Sequence, residues 1–285
     1  MPSDGETQAD RGVDLDAYLA RIGYDGPRAA TLDVLAALHR LHPQAIPFEN
    51  LDPFLGRPVR LDPAALQAKL VAGRRGGYCF EHNLLFMHAL AALGFEVSPL
   101  AARVLWGQAD TDTLTPLTHM LLHVRADGRQ WFADVGFGIL TQTAPLLAEP
   151  GLEQRTPHET FRLAGSGPDT RVQAHAGGVW RTLYRIETAP QHAVDRIAMN
   201  HYLSTHPDSR FVAELMVART LPDRRIGLSG AGLTEHVIGG ASTRRPLASP
   251  DAACEALETV FGIAVPDPAA FARAARARGL FSGAA

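Results

Sequence analysis

Cysteine is scarce in this chain of 285 residues: there are two, Cys79 and Cys254, far apart in the sequence. Thiols at that separation match neither a disulfide framework nor the paired ligands of a structural metal, so no metal is expected and each cysteine needs its own explanation. Lysine is scarcer still, occurring once, at Lys69, a preference for arginine read here as compositional. The formal net charge is −3, and no dense basic stripe is present to neutralise a phosphate backbone, which argues against nucleic acid as a partner. Long apolar runs are missing as well: nowhere do about 18 apolar residues follow one another, so no membrane span or membrane partner is expected. The opening stretch from Met1 to Gly12 is polar and acidic, without the charged start and apolar segment of a signal peptide. The expected localisation is therefore cytoplasmic.

What remains is ordinary globular material. Hydrophobic residues make up 46% of the chain and charged residues 20%, a balance that excludes intrinsic disorder and fibrous repeats and supplies enough apolar surface for a sizeable core. Leu15, Tyr18, Leu19 and Ile22 recur at helical spacing up to Gly23, and Leu32, Leu35, Leu38 and Leu41 do so up to Pro43. A third helical pattern begins at Cys79 and runs to Gly94. From Phe95 the period changes, and short strands are expected over 95–106, 120–124, 130–135, 161–163, 172–174 and 180–186, forming a β-barrel or a sandwich. The remainder reads as mixed α/β: a helix over 210–220, a Gly-rich strand region over 226–238, and helices over 252–261 and 268–278.

The densest chemical signal is Arg74-Arg75-Gly76-Gly77-Tyr78-Cys79-Phe80-Glu81-His82-Asn83. Here two glycines precede a cysteine that opens an apolar helix. A helix N-terminus presents unpaired N–H groups and the positive end of the macrodipole, which favour thiolate over thiol, and the thiolate is the nucleophilic form. The glycines leave room for another group to approach the sulfur. Cys254, by contrast, lies in the ordinary helical run Ala252-Ala253-Cys254-Glu255-Ala256-Leu257 and reads as packing.

A nucleophilic thiolate needs an imidazole partner, and the imidazole an orienting group. Both can come from one hairpin. The apolar runs around Met120 and Phe132 flank Asp127-Gly128, a two-residue turn that sets Leu121 opposite Asp134 and His119 opposite Gly136. His119 is then diagonal to Asp134 on one face of the sheet. His123 has the same parity and is also diagonal to Asp134, so turn geometry alone leaves both histidines open. The aspartate is less ambiguous. Asp127 is explained by the turn, whereas a carboxylate at Asp134, inside an apolar strand, is costly unless paired.

These residues carry a resemblance. Arg75-Gly76-Gly77-Tyr78-Cys79-Phe80-Glu81, then Thr118-His119-Met120, then Asp134-Val135-Gly136-Phe137-Gly138 resemble the three active-site motifs of the arylamine N-acetyltransferases, in the same order and at matching separations. Ile46-Pro47-Phe48-Glu49-Asn50-Leu51 upstream and the stretch from Asn200 to Phe211 downstream extend the likeness over nearly the whole chain. The resemblance implies an α+β fold with a cysteine-protease-like catalytic core: a helical bundle over 1–93 carrying the nucleophile, a β-barrel over 94–198 carrying His and Asp, and an α/β lid over 199–285. It implies Cys79, His119 and Asp134 as the catalytic triad, leaving His123 structural, and acetyl-coenzyme A as co-substrate. Phe48, Phe137 and Phe211 are the implied substrate-binding residues, and Gly136, Gly138, Ser204 and Thr205 the implied coenzyme contacts. Glu49 and Arg75 are expected to pair and brace the cysteine loop. His82 departs from the glutamine usual in that family.

The expected activity is ping-pong transfer of an acetyl group from acetyl-coenzyme A to an arylamine, arylhydrazine or arylhydroxylamine through an acetyl-cysteine. Three other readings share much of this sequence. An amide synthase of the same fold takes its acyl group from a carrier protein, and a Cys-His-Asp hydrolase takes it from a peptide or glutamine donor. A non-catalytic coenzyme-binding protein predicts indifference to Cys79→Ser.

Overall fold

In the computed structural model, which describes residues 12–109, 112–189 and 191–281, helix α1 (Leu15–Ile22) and helix α2 (Leu32–Ala45) form where the apolar spacing places them. Most of the polar opening stretch lies outside the described residues. Asp14 caps α1 by accepting the Ala17 N–H at 3.0 Å, and Gly23 closes it in the left-handed region at φ 70°. Helix α2 stops near Pro43, as expected. It extends just past, to Ala45, because a proline in the last turn forfeits a single N–H and its ring is buried.

After β1 (Phe48–Glu49) and the short α3 (Leu51–Phe54), α4 (Pro63–Leu66) runs on as π-helical turns over Gln67–Ala72 and leads to α5 (Cys79–Ala92). Every residue of α5 from Cys79 to Phe86 is buried, so this helix is the central rod against which α1, α2 and the first sheet pack.

Strands β2 (Glu96–Val104), β3 (His119–Ala126), β4 (Arg129–Ala133), β5 (Leu146–Leu147), β6 (Gln154–Arg155), β7 (Thr160–Ala164), β8 (Arg171–Ala176) and β9 (Val179–Glu187) make one antiparallel sheet in the order β5-β4-β3-β2-β9-β8-β7-β6. The side chain of Gln154 stitches its two edge strands together, accepting from Leu147 N at 2.7 Å and donating to Leu147 O at 3.0 Å. The sheet thus curls toward a barrel, and the sandwich alternative falls away. At the β3–β4 turn Asp127 and Gly128 both take positive φ, 48° and 74°, and the pairs Leu122↔Ala133 and His123↔Phe132 fall in the expected register. Met120, Leu122 and Val124 therefore pack toward α5, while His119 and Leu121 turn to the barrel side with Tyr184.

The last third holds α6 (Ala193–Thr205), α7 (Arg210–Ala213), strands β10 (Met216–Leu221), β11 (Arg224–Ser229), β12 (Gly232–Val237) and β13 (Ser242–Pro246), then α8 (Pro250–Thr259) and α9 (Pro268–Ala277). The helix expected over 210–220 is corrected: one helical turn is followed by β10, whose Val217, Ala218 and Thr220 are buried between neighbouring strands. The Gly-rich region over 226–238 resolves into the β11–β12 hairpin. Strand β1 joins the edge of this second sheet through Phe48↔Ala218 and Glu49↔Val217, so a segment next to the cysteine loop is part of the C-terminal sheet. Helix α6 runs across position 198/199. None of the described helices is long and apolar enough to cross a membrane.

Candidate active site

Cys79 is the first residue of α5, and the backbone before it is held by close packing. A Cβ on Gly76 would lie 1.9 Å from the Pro47 carbonyl oxygen, and one on Gly77 would lie 2.6 Å from Glu81 Oε2. The group these glycines admit is therefore the protein itself. Strand β1 lies directly on the loop, with Glu49 N donating to Gly77 O at 2.8 Å. Glu81 reaches back to accept the Tyr78 N–H at 3.0 Å, the return half of a capping box, and this fixes the helix start under the sulfur.

Beside Cys79 the structure brings together the imidazole of His119, at the start of β3, and the carboxylate of Asp134, just past the end of β4. His119 Nε2 meets Asp134 Oδ2 at 2.7 Å, and both side chains are buried. Cys79 lies close enough to bear electrostatically on the same ring, and its Sγ lies 3.6 Å from the Thr118 carbonyl, next to His119 in the chain. Burial alone would push the His119 imidazole down; the Asp134 charge, the hydrogen bond to Asp134 and the nearness of Cys79 override it and hold the ring well above its ordinary value. Burial would likewise raise Asp134, but His119, Asn83 and the Gly136 N–H hold it low. Both directions favour an imidazolium–carboxylate pair. His123 stays in mid-strand against Phe132, half-buried, and is not among the partners of Asp134.

Three buried residues that sequence reasoning passed over complete the support. Asn83, one helical turn after Cys79 on the same face of α5, donates to Asp134 Oδ1 at 3.0 Å and to Met120 O at 2.7 Å, and accepts the Val135 N–H at 3.1 Å. Its i, i+4 relation to the cysteine was the available signal. His39 of α2 accepts the Asp134 N–H at 3.1 Å, which leaves its Nδ1 buried with no hydrogen-bond partner among the described residues. Tyr184 of β9 bears on the same carboxylate, and its ring lies 4.8 Å from that of His119. A Cβ on Gly136 would come within 2.9 Å of Cys79 Cα, so this glycine lets the Asp134 segment lie against α5.

Below the loop sits a buried charge network. Arg75 pairs with Glu49 at 2.7 Å, as expected, and also reaches Asp52 at 3.4 Å; Lys69 bridges Asp52 at 2.6 Å and Glu81 at 2.7 Å. Burial raises the Glu81 carboxyl above the usual carboxylate range against the pull of Lys69. The single lysine thus balances two carboxylates in a place where arginine elsewhere does the pairing. Lys69→Met is expected to cost about 3–5 kcal/mol of stability, since three carboxylates would then face one cation in a dry site. Urea unfolding monitored by circular dichroism measures it, and a change below about 1 kcal/mol, the scale of a solvated surface pair, would count against a tightly coupled network.

The aromatic candidates fall into two groups. Phe48 contacts Phe211 at 6.0 Å, and Phe211 packs on Tyr78 at 5.1 Å; Phe137 lies edge-on to His119 at 5.2 Å. Gly138, at φ 88°, faces the Phe48 ring. A cleft beside the imidazole is lined by Phe80, Leu117, His119, Met120, Arg196 and Met199. Ser204 and Thr205 occupy the last turn of α6, where their hydroxyls donate to the helix's own carbonyls, Asn200 O at 2.7 Å and His201 O at 2.6 Å; Ser204 is buried and Thr205 exposed. The cap of α7 is Ser209, because α6 continues through Thr205.

An α+β fold that sets a cysteine at a helix N-terminus beside a paired imidazole and carboxylate fits the class of thiol-dependent enzymes. Residues 31–270 match the family described as N-acetyltransferase. The chain is 46% identical to the arylamine N-acetyltransferase of Mycobacterium tuberculosis over 258 residues, covering 90% of this chain and 91% of that one. It is 38% identical to the arylamine N-acetyltransferase of Escherichia coli over 254 residues, 89% and 90% of the two chains. The structure of Mycobacterium marinum arylamine N-acetyltransferase in complex with CoA superimposes with a TM-score of 0.87 at 42% identity, covering 92% of this chain and 98% of that chain. The chain belongs to the arylamine N-acetyltransferase family and is an acyltransferase.

Proposed function

We propose that the protein transfers an acetyl group from acetyl-coenzyme A to an aromatic amine, hydrazine or hydroxylamine by a ping-pong route, with Cys79, His119 and Asp134 as its catalytic residues. The observation that carries this reading is the buried His119 ring, bonded to Asp134 at 2.7 Å, with the Cys79 sulfur at the start of α5 lying 3.6 Å from the carbonyl of the neighbouring Thr118. Cys79, as thiolate, attacks the thioester carbonyl. Coenzyme A leaves as its thiolate and takes the proton from the His119 imidazolium, which leaves acetyl-cysteine beside a neutral imidazole. The amine then attacks the acetyl carbon, His119 takes its proton, and the Cys79 thiolate departs to restore the starting pair. Asp134 keeps the imidazole oriented and stabilises its charged form throughout.

Phe48, Phe137 and Phe211 supply apolar walls suited to a flat ring, and weakly basic aromatic amines suit the chemistry because they keep a free lone pair at neutral pH. Gly138 and Thr205, which is exposed although its hydroxyl also donates within α6, are left to the coenzyme. Gly136, filled by Cys79, and the Ser204 hydroxyl, spent within α6, serve the protein's own packing. A nucleophilic thiol suits a reducing compartment such as the cytoplasm, and both cysteines are free.

Intact-mass measurement after brief exposure to acetyl-coenzyme A tests the reading: the expected adduct is about 42 Da, one acetyl group, on Cys79, lost when an arylhydrazine is added. An adduct on Cys254, or none, would overturn the assignment. Acylation by a carrier-bound donor alone would move the protein to amide synthesis, and loss of the adduct to water at the same rate without amine would move it to hydrolysis.

A further inference from the structure

One turn along α5 from Cys79 begins a line of buried polar groups for which the acetyl-transfer steps have no use. The Tyr18 hydroxyl meets His42 Nδ1 at 2.9 Å, His42 Nε2 meets His82 Nδ1 at 2.9 Å, and His82 Nε2 meets the Pro47 carbonyl at 3.2 Å. Tyr18, His42 and His82 are all fully buried. The carbonyl at the end fixes the direction of the whole chain. Pro47 O can only accept, so His82 Nε2 carries the proton; His82 Nδ1 then accepts from His42 Nε2–H, and His42 Nδ1 accepts from the Tyr18 O–H. All three groups are neutral and each interior donor and acceptor is used. Burial pushes the His82 ring down to about 4 and His42 well below its ordinary value, in keeping with that assignment.

The free end of this chain touches two parts of the candidate site. Pro47 is the residue before Phe48, and its carbonyl packs on the glycine loop, where Gly76 has no room for a Cβ. The Phe48 ring lies parallel to the His82 ring within 8°, centroids 6.4 Å apart. The other end is anchored on α1 and α2, in the core of the bundle. Phe48 itself is only half-buried and belongs to a two-residue strand; its ring shares the His82 face with contacts to Phe211 and Gly138 on the site side.

We propose that His82, held by His42 and Tyr18, is a positioning residue that sets the Pro47–Phe48 segment and so determines the preference for acceptors that carry an aromatic ring. This rests on the acetyl-transfer reading above and adds a source of acceptor selectivity located behind the pocket wall. Because none of the chain's hydrogen bonds is made to His119 or Asp134, its expected effect falls on the second half-reaction rather than on acetylation of Cys79.

The test compares phenylhydrazine with hydrazine, two nucleophiles that differ in the ring, using acetyl-coenzyme A as donor and intact mass to count acetylated enzyme. In His82→Phe the ratio of kcat/KM for phenylhydrazine over hydrazine is expected to fall about tenfold, through the phenylhydrazine KM, and in Tyr18→Phe about threefold, as loosened positioning costs rate steeply with small displacements. Both variants should acetylate at the wild-type rate and in full. His82→Gln, whose amide offers one acceptor and a donor, should keep the ratio within about twofold. A full adduct with an unchanged ratio in His82→Phe and Tyr18→Phe would overturn the proposal alone. So would equal losses in His82→Gln and His82→Phe, or acetylation slowed in step with the ratio. Absence of an adduct in the wild-type protein would overturn the acetyl-transfer reading and this proposal with it.

Discussion

Cys79→Ala is expected to lower acetyl transfer by about 10⁴-fold or more, the scale of losing a covalent nucleophile whose partners act as a unit. The sequence offers one other thiol. Cys254 lies on α8 in the separate C-terminal core, and burial together with Asp251 and Glu258 pushes its thiol up, away from the reactive form. Cys79→Ser should fail nearly as badly, and for an instructive reason. Asp134 holds the His119 ring well above its ordinary value, so the imidazole favours its protonated form. A serine hydroxyl needs a neutral base to remove its proton, and an imidazolium cannot act as one. Single-turnover mass spectrometry checks both variants. Residual acetylation of Cys79→Ser at a tenth of the wild-type rate would show that His119 is neutral in the resting site.

How far the sequence discloses this site depends on the range of the interaction involved. The β3–β4 register was legible because Asp127-Gly128 demands two positive φ values, a local requirement that fixes every pair up the ladder. Cys79 stood out for a similar reason, since the glycines and the apolar run around it mark a helix start within a few residues. The choice of His119 over His123 was not local. Both have the same parity, and only the approach of α5 to the start of β3 distinguishes them, a contact between elements about 40 residues apart that periodicity does not encode. The resemblance to the family made that choice. His39, Tyr184 and the Lys69 network were illegible on the same grounds: each is an ordinary residue whose partner comes from another element. The strand β10 was missed although β11, the next strand in sequence, pairs with it in a hairpin; its other neighbour, β1, comes from far earlier in the chain. Tertiary pairing there overrides a stretch, Arg210 to Thr220, that offers no strong local preference.

Asp134→Asn is expected to cut turnover about 10⁴-fold while leaving the fold intact, the scale seen when the orienting carboxylate of such a triad is replaced by its amide. The hydrogen bonds dictate how the amide must sit. Asn83 Nδ2 and the Gly136 N–H both donate to Oδ1, at 3.0 and 2.9 Å, so the side-chain oxygen of an asparagine has to occupy that position. Its NH₂ then points at His119 Nε2. Two donors cannot share a hydrogen bond, so the imidazole gives up its Nε2 proton and becomes neutral, with its remaining proton on the nitrogen that faces sulfur. The thiolate loses its counter-charge and coenzyme A loses the acid that would protonate it as it leaves, so the first half-reaction should fail before the second is reached. Stability should change with pH in a way that reports the same pair. His119 binds its proton more tightly in the folded chain, so its contribution is complete below about pH 6.5 and fades as the pH rises through the elevated folded value. Asp134 is held low, so its contribution is present above about pH 3.9 and fades as the pH falls through the depressed folded value. The Tm advantage of the wild-type protein over Asp134→Asn should therefore be greatest between about pH 4 and 6.5 and shrink on either side. A gap that did not shrink as the pH rises from about 6.5 through the elevated His119 value would mean that the carboxylate is held by Asn83 and Gly136 alone, with the imidazole uncharged beside it.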